Sequence, residues 1–182
     1  MAPYPSLETA RLLLRPIELA DAPAIQATFP RWEIVRHLDA WVPWPYPDDG
    51  AERYLKDFLL GAIAQGRAWT WTIRTKANPE RLVGVIDLFD WPDDNRGFWI
   101  DPAVQGQGYA SEAAEAVTDY WFEVLGKPVL RIPKAVDNLA SRRISEKQGM
   151  RIVARIDKNY VEGRLPSDLW EITAEEWRAR PR

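Results

Sequence analysis

A glycine-rich segment at residues 105–110, which reads Gln-Gly-Gln-Gly-Tyr-Ala, constrains the fold more than any other feature of the sequence. A short apolar run at 98–100 precedes this segment, and a stretch with helical periodicity follows it. Small residues allow a ligand to touch the backbone, and N–H groups at the start of a helix attract an anion. The segment therefore predicts a strand, a phosphate-binding loop and a helix, in that order.

Composition predicts one domain and excludes several functions. A length of 182 residues predicts a single domain over 1–182, with residues 1–6 flexible. The 24 basic and 27 acidic residues are interspersed, which argues against nucleic acid as a partner. Without cysteine the chain has no disulfide, thiolate metal ligand or acyl-cysteine intermediate, and we expect no metal. The start is unlike a signal peptide and no run of about 18 apolar residues occurs, so we expect a cytoplasmic protein without a membrane partner.

Hydrophobic periodicity predicts helices and strands over the whole chain. Helix starts are expected near Asp21, Asp49, the glycine-rich loop and Asn138, and helix ends at Gly66, Gly126 and Gly149. Strands are expected at residues 11–15, 69–74, 82–89, 96–101, 129–136, 150–156 and 169–173.

Four motifs, in this order, resemble the GNAT superfamily of coenzyme-A-dependent N-acetyltransferases, in the branch that includes the ribosomal-protein N-acetyltransferases. They lie at residues 7–16, 97–102, 105–110 and 138–150. The resemblance implies an α/β (α+β) fold of three layers. It has a mixed, mostly antiparallel seven-stranded sheet with a splayed parallel central pair, and about four helices.

Pro133 interrupts a predicted central strand, where it cannot donate a hydrogen bond to a neighbour. In the resembled fold two middle strands separate at this level and admit the pantetheine arm of coenzyme A, which a proline would tolerate. A simple bulge is the alternative, and the sequence leaves both open.

The resemblance implies acetyl-CoA as cosubstrate and assigns residues to it. The pyrophosphate is expected on the backbone N–H groups of Gln105, Gly106, Gln107, Gly108, Tyr109 and Ala110. The main chain near Trp99 and Ile100 is expected to pair with the amides of the pantetheine arm as an added strand does, and the N–H of Ile100 to polarise the thioester carbonyl. Asn138 and Ser141 are expected to face the same arm, although Asn138 also fits a helix N-cap. The alternative for the loop is an ordinary glycine-rich turn.

Proton transfer is where the chain departs from the superfamily. Many members carry a tyrosine as proton donor to the thiolate four residues before the glycine that ends the last helix, and here that residue is Ser145. Ser141, Ser145 or a water molecule could replace it, and we favour Ser141.

For the general base, Asp87 interrupts an apolar run, and burial should raise the pKa of its carboxyl. A carboxylate paired with an arginine is the alternative. The branch often has an acidic residue where this chain has Asn95, and Asp157 and Glu162 remain further candidates for the base.

The sequence gives fewer specific signals for the residues that bind the acceptor. Trp41, Trp44 and Tyr46 could form aromatic walls for an apolar or cationic acceptor, or a lid that packs on its own domain. His37, the single histidine, is interpreted as a packed or surface residue.

Together these features predict an acetyl-CoA-dependent N-acetyltransferase that acts on a primary amine by direct attack in a ternary complex. The acceptor is a protein N-terminus, a polyamine, an amino acid or an aminoglycoside, and a homodimer is possible through exposed sheet edges. A dinucleotide fingerprint is excluded because Ser111 stands where its third glycine is needed. A non-catalytic module that binds acyl-CoA or another partner is the remaining alternative.

Overall fold

The computed structural model describes residues 3–181, which contain eight strands and seven α-helices. The strands are β1 (Leu7–Glu8), β2 (Leu12–Pro16), β3 (Ala68–Thr75), β4 (Asn78–Phe89), β5 (Arg96–Ile100), β6 (Val129–Ala135), β7 (Arg151–Tyr160) and β8 (Gly163–Thr173). The helices are α1 (Ala22–Thr28), α2 (Trp32–Val35), α3 (Gly50–Tyr54), α4 (Leu60–Ala64), α5 (Tyr109–Asp119), α6 (Leu139–Lys147) and α7 (Ala174–Ala179).

The strands form two antiparallel sheets. The first has the order β1-β2-β3-β4-β5 and the second the order β6-β8-β7. The predicted mixed α/β fold is confirmed, with one difference. Eight strands in two sheets replace seven strands in one sheet, because β5 and β6 form no backbone ladder with each other among the described residues.

Among the described residues, the hydrogen bonds that join β5 to β6 lie at the starts of these two strands. The N–H of Asn95 donates to the carbonyl of Arg131 at 2.8 Å, and the N–H of Arg131 donates to Asn95 Oδ1 at 2.7 Å. Asn95 is buried, so the residue that replaces an acid of the resembled family holds the sheets together here. From this joint to Ile100 and Ala135 the two strands share no described backbone pairing, and we call the space between their unpaired edges the gap.

Pro133 faces this gap. The main chain of Arg131 points to β5, and alternation along a strand directs the main chain two residues later to the same side. The pairing of β6 with β8 runs without a register shift, so the alternative of a bulge at Pro133 is wrong. The missing N–H of the proline therefore costs the sheet no hydrogen bond.

The first sheet lies between two groups of helices. One face carries Trp71 and the paired Ile86, and Trp71 meets the ring of Tyr120 after α5 at 5.3 Å. The other face carries Trp99, whose ring lies 5.4 Å from Phe29 after α1. The sheet is thus the middle of three layers.

The helices begin and end largely where the sequence predicts. Pro23 lies in the first turn of α1 after Asp21, and α3 continues through π-helical turns at Leu55–Leu59 into α4. Two helices were not predicted. The first, α2, has four residues, and the second, α7, is capped reciprocally by Thr173 and Glu176.

The N-terminal segment is held in place. Tyr4 is buried and its hydroxyl donates to the carbonyl of Thr70 at 2.6 Å, while Trp71 Nε1 donates to the carbonyl of Pro5 at 2.9 Å. Of the residues 1–6 that we expect to be flexible, Tyr4 and Pro5 thus contact β3, and residues 1–2 lie outside the described part. Within residues 3–181 no helix is both long and apolar enough to cross a bilayer.

Candidate active site

The glycine-rich loop has the geometry of an anion-binding site. Gly106 and Gly108 adopt positive φ angles of 79° and 81°, and Gly108 is the N-cap of α5. None of the backbone N–H groups of residues 106–111 donates a hydrogen bond to a described residue. A row of free amides at a helix N-terminus is suited to phosphate oxygens.

Residues of the N-terminal motif at 7–16 contact the first turn of α5 and so hold the glycine-rich loop in place. Glu112, in the first turn of α5, accepts hydrogen bonds from Thr9 Oγ1 at 2.5 Å and from the N–H of Arg11 at 2.8 Å. Arg11 Nε also donates to Glu112 at 2.7 Å. Burial alone would raise the pKa of Glu112, but these hydrogen bonds bring it below its ordinary value. The carboxylate is therefore charged and joins the two motifs.

Arg11 reaches the loop itself. Its Nη1 donates to the carbonyl of Gln107 at 2.9 Å, and its guanidinium carbon lies 4.9 Å from the centre of the Tyr109 ring. Sequence reasoning assigned no function to Arg11 or Glu112. The available signal was that Arg11 belongs to the first motif and Glu112 follows the third by two residues, but the contact between residues so far apart in the chain could not be read from the motifs.

The edge of β5 that faces the gap is formed by Phe98 and Ile100. The N–H of Asp101 donates to the carbonyl of Val83 in β4 at 2.8 Å, so alternation also directs the main chain of Trp99 to β4. The main-chain groups of Phe98 and Ile100 then point into the gap. Gln105 Nε2 accordingly reaches the carbonyl of Ile100 at 3.1 Å.

This geometry supports the predicted position of the Ile100 N–H and corrects the prediction for the main chain of Trp99. The main chain of Trp99 cannot pair with an arm in the gap, because it belongs to the ladder with β4. The neighbouring Phe98 presents its main chain there instead, and the Trp99 indole packs on Phe29.

The opposite side of the gap carries the serine candidates. Asn138 caps α6 by accepting a hydrogen bond from the N–H of Ser141 at 3.3 Å, as its sequence position predicts. Ser141 is half-buried, and its hydroxyl makes no hydrogen bond to a described residue. Ser145 is 0% exposed and its hydroxyl is unpartnered. Of the two hydroxyls, that of Ser141 is therefore the more accessible.

Asp87 lies on the face of β4 that carries Trp99 on the next strand. Its Oδ1 accepts a hydrogen bond from the N–H of Gly97 at 3.1 Å, and a Cβ at Gly97 would come within 2.8 Å of that oxygen. Burial, and then the nearby charge of Asp94, raise the pKa of Asp87 to about 7. Asp87 forms no ion pair with a described residue, so the alternative of an arginine partner is wrong.

The other carboxylates in this region are paired. Asp94 binds Lys158 Nζ at 2.7 Å, and Asp39 binds the same ammonium at 2.9 Å. Glu162 accepts from Arg36 Nε at 2.6 Å, and Asp157 pairs with Arg164 at 3.2 Å in an exposed position. Among the base candidates from the sequence, Asp87 alone combines partial burial with the lack of a cationic partner.

His37 contacts two carboxylates. Its Nε2 lies 3.2 Å from Asp137 and 3.8 Å from Glu162, and the ligand-type atoms of the three residues lie within 4.8 Å of one another. Arg36 also contacts both carboxylates, at 3.7 Å for Asp137. The cluster is thus compensated by a guanidinium of the protein.

The predicted aromatic walls pack against other rings of the same chain. Trp41 stacks on Tyr54 with 5.5 Å between ring centres, and it is still 52% exposed. Trp44 lies 5.7 Å from the ring of Trp32. Tyr46 contacts Phe29 at 4.9 Å, and Phe29 in turn contacts the ring of Trp99. These ring contacts form three separate groups, and the one that contains Tyr46 reaches Trp99 of β5 through Phe29.

Comparison with known proteins agrees with this geometry. An acetyltransferase (GNAT) domain model matches residues 11–151. No curated protein matches the chain significantly in sequence.

Solved structures share the fold. A GNAT-family acetyltransferase from Bacillus anthracis has a TM-score of 0.78 at 21% identity, covering 94% of this chain and 100% of that chain. RimL, a ribosomal L7/L12 alpha-N-protein acetyltransferase in complex with coenzyme A, has a TM-score of 0.79 at 16% identity, with 94% and 99% covered. A spermidine N-acetyltransferase from Vibrio cholerae, in complex with CoA and spermine, has a TM-score of 0.77 at 19% identity, with 93% and 99% covered. Since the family model spans most of the sequence, this chain belongs to the GNAT acetyltransferase family.

Proposed function

We propose that this protein transfers an acetyl group from acetyl-CoA to a primary amine, by direct attack of the amine on the thioester in a ternary complex. The observation that carries the proposal is the gap between β5 and β6. Main-chain groups of Phe98 and Ile100 point into it, and it opens next to the free amides of residues 106–111. A long ligand with a diphosphate at one end and amides along its arm fits this combination.

The residues present can hold such a ligand. The free N–H groups of the loop would bind the pyrophosphate, with Arg11 and Glu112 fixing the loop. The edge at Phe98 and Ile100 would pair with the amides of the arm, as an added strand does. Acetyl-CoA supplies an activated acetyl thioester when bound.

Three groups then carry the chemistry. Asp87, with a pKa of about 7, accepts the proton that the attacking amine loses. The N–H of Ile100 donates to the developing oxyanion of the carbonyl. The accessible hydroxyl of Ser141 relays a proton to the departing sulfur.

The acceptor that suits this site is a peptide N-terminus or a small amine. The acidic groups Asp87, Asp94 and Asp39 are near one another. The exposed rings of Trp41 and Phe58 both contact Tyr54, whose pKa is raised by burial and then by the charge of Asp87. Carboxylates together with aromatic rings favour a cationic group. An α-amine, with an ordinary pKa of about 8, needs less assistance from a base than a lysine does.

The test is a panel of amines with acetyl-CoA, followed by release of free CoA. The panel contains peptides with free N-termini, polyamines, amino acids and aminoglycosides. We expect turnover with at least one peptide or small amine, and none with the same peptide after N-terminal acetylation.

A parallel melting experiment separates the remaining alternative. If CoA raises the melting temperature and no amine turns over, the chain is a module that binds acyl-CoA without catalysis. If CoA also leaves the melting temperature unchanged, binding of the carrier is itself refuted.

A further inference from the structure

Two cationic side chains are buried in the wedge that β5, β6, α5 and α6 enclose. Arg96 is 3% exposed, and its Nη1 donates to Thr118 Oγ1 and to the carbonyl of Ala114, both on α5. Lys134 of β6 is 4% exposed, and its Nζ donates to the carbonyl of Ser141 at 2.5 Å in the first turn of α6. The cations thus come from the two strands that border the gap.

Neither cation has a carboxylate in direct contact among the described residues. Nε and Nη2 of Arg96 also have no hydrogen-bond partner in the described part of the chain. The buried hydroxyl of Ser145 is also unpartnered. Buried charges and unpaired donors cost free energy unless another group satisfies them. An anion from outside the chain would satisfy this arrangement.

The pKa shifts of the two cations also favour a bound anion. Burial, and then the nearby Arg96, lower the pKa of Lys134 well below its ordinary value. Burial likewise lowers the pKa of Arg96 to about 10, with Glu115 on α5 opposing the shift. An anion between the two cations would relieve both effects.

Other charged groups on the enclosing helices either have partners elsewhere or, like Arg143, Glu146 and Lys147, are exposed. Glu115 pairs with Arg180 and accepts from Gln148 Nε2 at 3.3 Å. Arg142 of α6 turns to Asp168 at 3.4 Å. They leave Lys134 and Arg96 as the charges available to a ligand in the wedge.

We propose that Lys134 and Arg96 form the binding site for the thiolate that leaves when the thioester is cleaved. The inference rests on the proposed function, since it assumes that the arm enters the gap from the loop. Lys134 and Arg96 would take the part that a tyrosine at the position of Ser145 takes in the resembled enzymes. Stabilising the thiolate makes a weakly acidic serine sufficient as proton relay.

The reaction balances without any other reactant. The amine nitrogen forms a bond to the carbonyl carbon, the C–S bond breaks, and its electron pair stays on sulfur between the two cations. The nitrogen loses one proton to the base. A proton then reaches the sulfur through Ser141 and water, which yields the amide and free CoA.

The pKa of the thiol of bound CoA tests the site without any acceptor. It is measured from the ultraviolet absorbance of the thiolate as a function of pH, with binding of CoA followed by calorimetry. We expect the wild-type protein to lower this pKa by about one unit or more relative to free CoA, a tenfold gain in thiolate per unit. Lys134→Met should remove most of the shift, and Lys134→Arg should retain part of it.

Lys127→Met is the matched control, because Lys127 is a partly buried lysine that pairs with Asp90 away from the wedge. It should leave the thiol pKa unchanged. Lys134→Gln provides a second variant if the Met variant does not fold. If CoA binds to the wild type with an unshifted thiol pKa, or if folded Lys134 variants keep the full shift, the thiolate site is refuted while the proposed function stands. If CoA does not bind, both are refuted.

Discussion

The two ends of the site are built in different ways. The proposed phosphate end uses the main chain of consecutive residues, 106–111, so its function would depend on backbone geometry. The proposed acceptor end uses side chains from distant segments, with Asp39, Asp87, Asp94 and Lys158 brought together from three parts of the chain. On the proposed function, the carrier would be bound by the local element, and the acceptor by long-range contacts that can vary.

The two ends also differ in the direction in which the pKa values of their carboxyl groups are shifted. At the loop, Glu112 is held ionised by Thr9 and Arg11, and its pKa lies below the ordinary value. At the acceptor end, burial raises the pKa of both Asp87 and Asp94. The first arrangement suits a fixed structural charge, and the second suits a group that exchanges a proton near neutral pH.

Asp87→Asn is expected to have the largest effect, because it removes the proposed base. We predict a fall in kcat/KM of about 100-fold at pH 7.5, in the range typical of general-base catalysis, with unchanged affinity for CoA. The wild-type rate should rise with pH through about 7, where Asp87 loses its proton. In the variant this rise should disappear, leaving only the ionisation of the acceptor amine.

The same residue predicts a pH dependence of stability. An aspartate with a folded pKa of about 7 and an ordinary value of 3.8 binds more protons in the folded state between these limits. Its folded state therefore loses stability as pH rises through this window. The free energy of unfolding of Asp87→Asn should exceed that of the wild type most at pH 8, and this difference should shrink toward pH 4.

Asp94→Asn is the matched control for the catalytic effect. The charge of Asp94 raises the pKa of Asp87, so its removal should shift the midpoint of the rate profile to lower pH without a large loss of rate. A wild-type profile with no midpoint near 7, or an Asp87→Asn variant with full activity, would exclude Asp87 as the base.

The contrast between the ends also explains what the sequence could predict. The loop and the capped start of α6 were predictable because they depend on local signals, such as the glycines at 106 and 108. The gap was expected from the family resemblance, since Pro133 alone left a bulge equally open. The ion pairs of Lys158 and the clamp on Glu112 were not predictable, since each joins segments more than 60 residues apart. Whether an arginine pairs with Asp87 could also not be predicted, because the sequence around a buried aspartate does not show whether a distant arginine contacts it.

Trp99 shows a second limit of prediction from sequence, which concerns the register of a strand. The motif at 97–102 located the correct strand, but which of two neighbouring residues faces the gap depends on the strand register. One hydrogen bond, from Asp101 to Val83, decides it. A register shift of one residue would turn the main chain of Trp99 instead of Phe98 toward the gap, and the identities of these two residues do not decide between the registers.

Gly106→Ala should have an intermediate effect, confined to the phosphate end. Gly106 has a φ of 79° with open space around it, so an alanine adds backbone strain without a clash. We predict about a tenfold loss of CoA affinity by calorimetry, since strain of about 1.4 kcal/mol in the loop corresponds to that factor. The rate at saturating CoA should change little.

Gly126→Ala is the control for this strain. Gly126 ends the helical segment after α5 with a φ of 64°, also in open space. Both variants should lose similar thermal stability, and only Gly106→Ala should weaken CoA binding. Equal CoA affinity in the two variants would mean that the loop does not contact the carrier.

Trp41→Ala should have the smallest effect and addresses the aromatic end of the acceptor region. An exposed ring near carboxylates attracts a cation by about 0.5–1 kcal/mol, so we predict a rise in KM for a cationic acceptor of about threefold. Affinity for CoA should stay the same, and Trp41→Phe should restore most of the KM. Val124→Ala, which truncates an exposed apolar side chain at the end of the α5 segment, serves as the control. If Trp41→Ala lowers the melting temperature but leaves the KM of every acceptor unchanged, the stack on Tyr54 is a lid that only packs on its own domain, and acceptor selection then depends on the carboxylates alone.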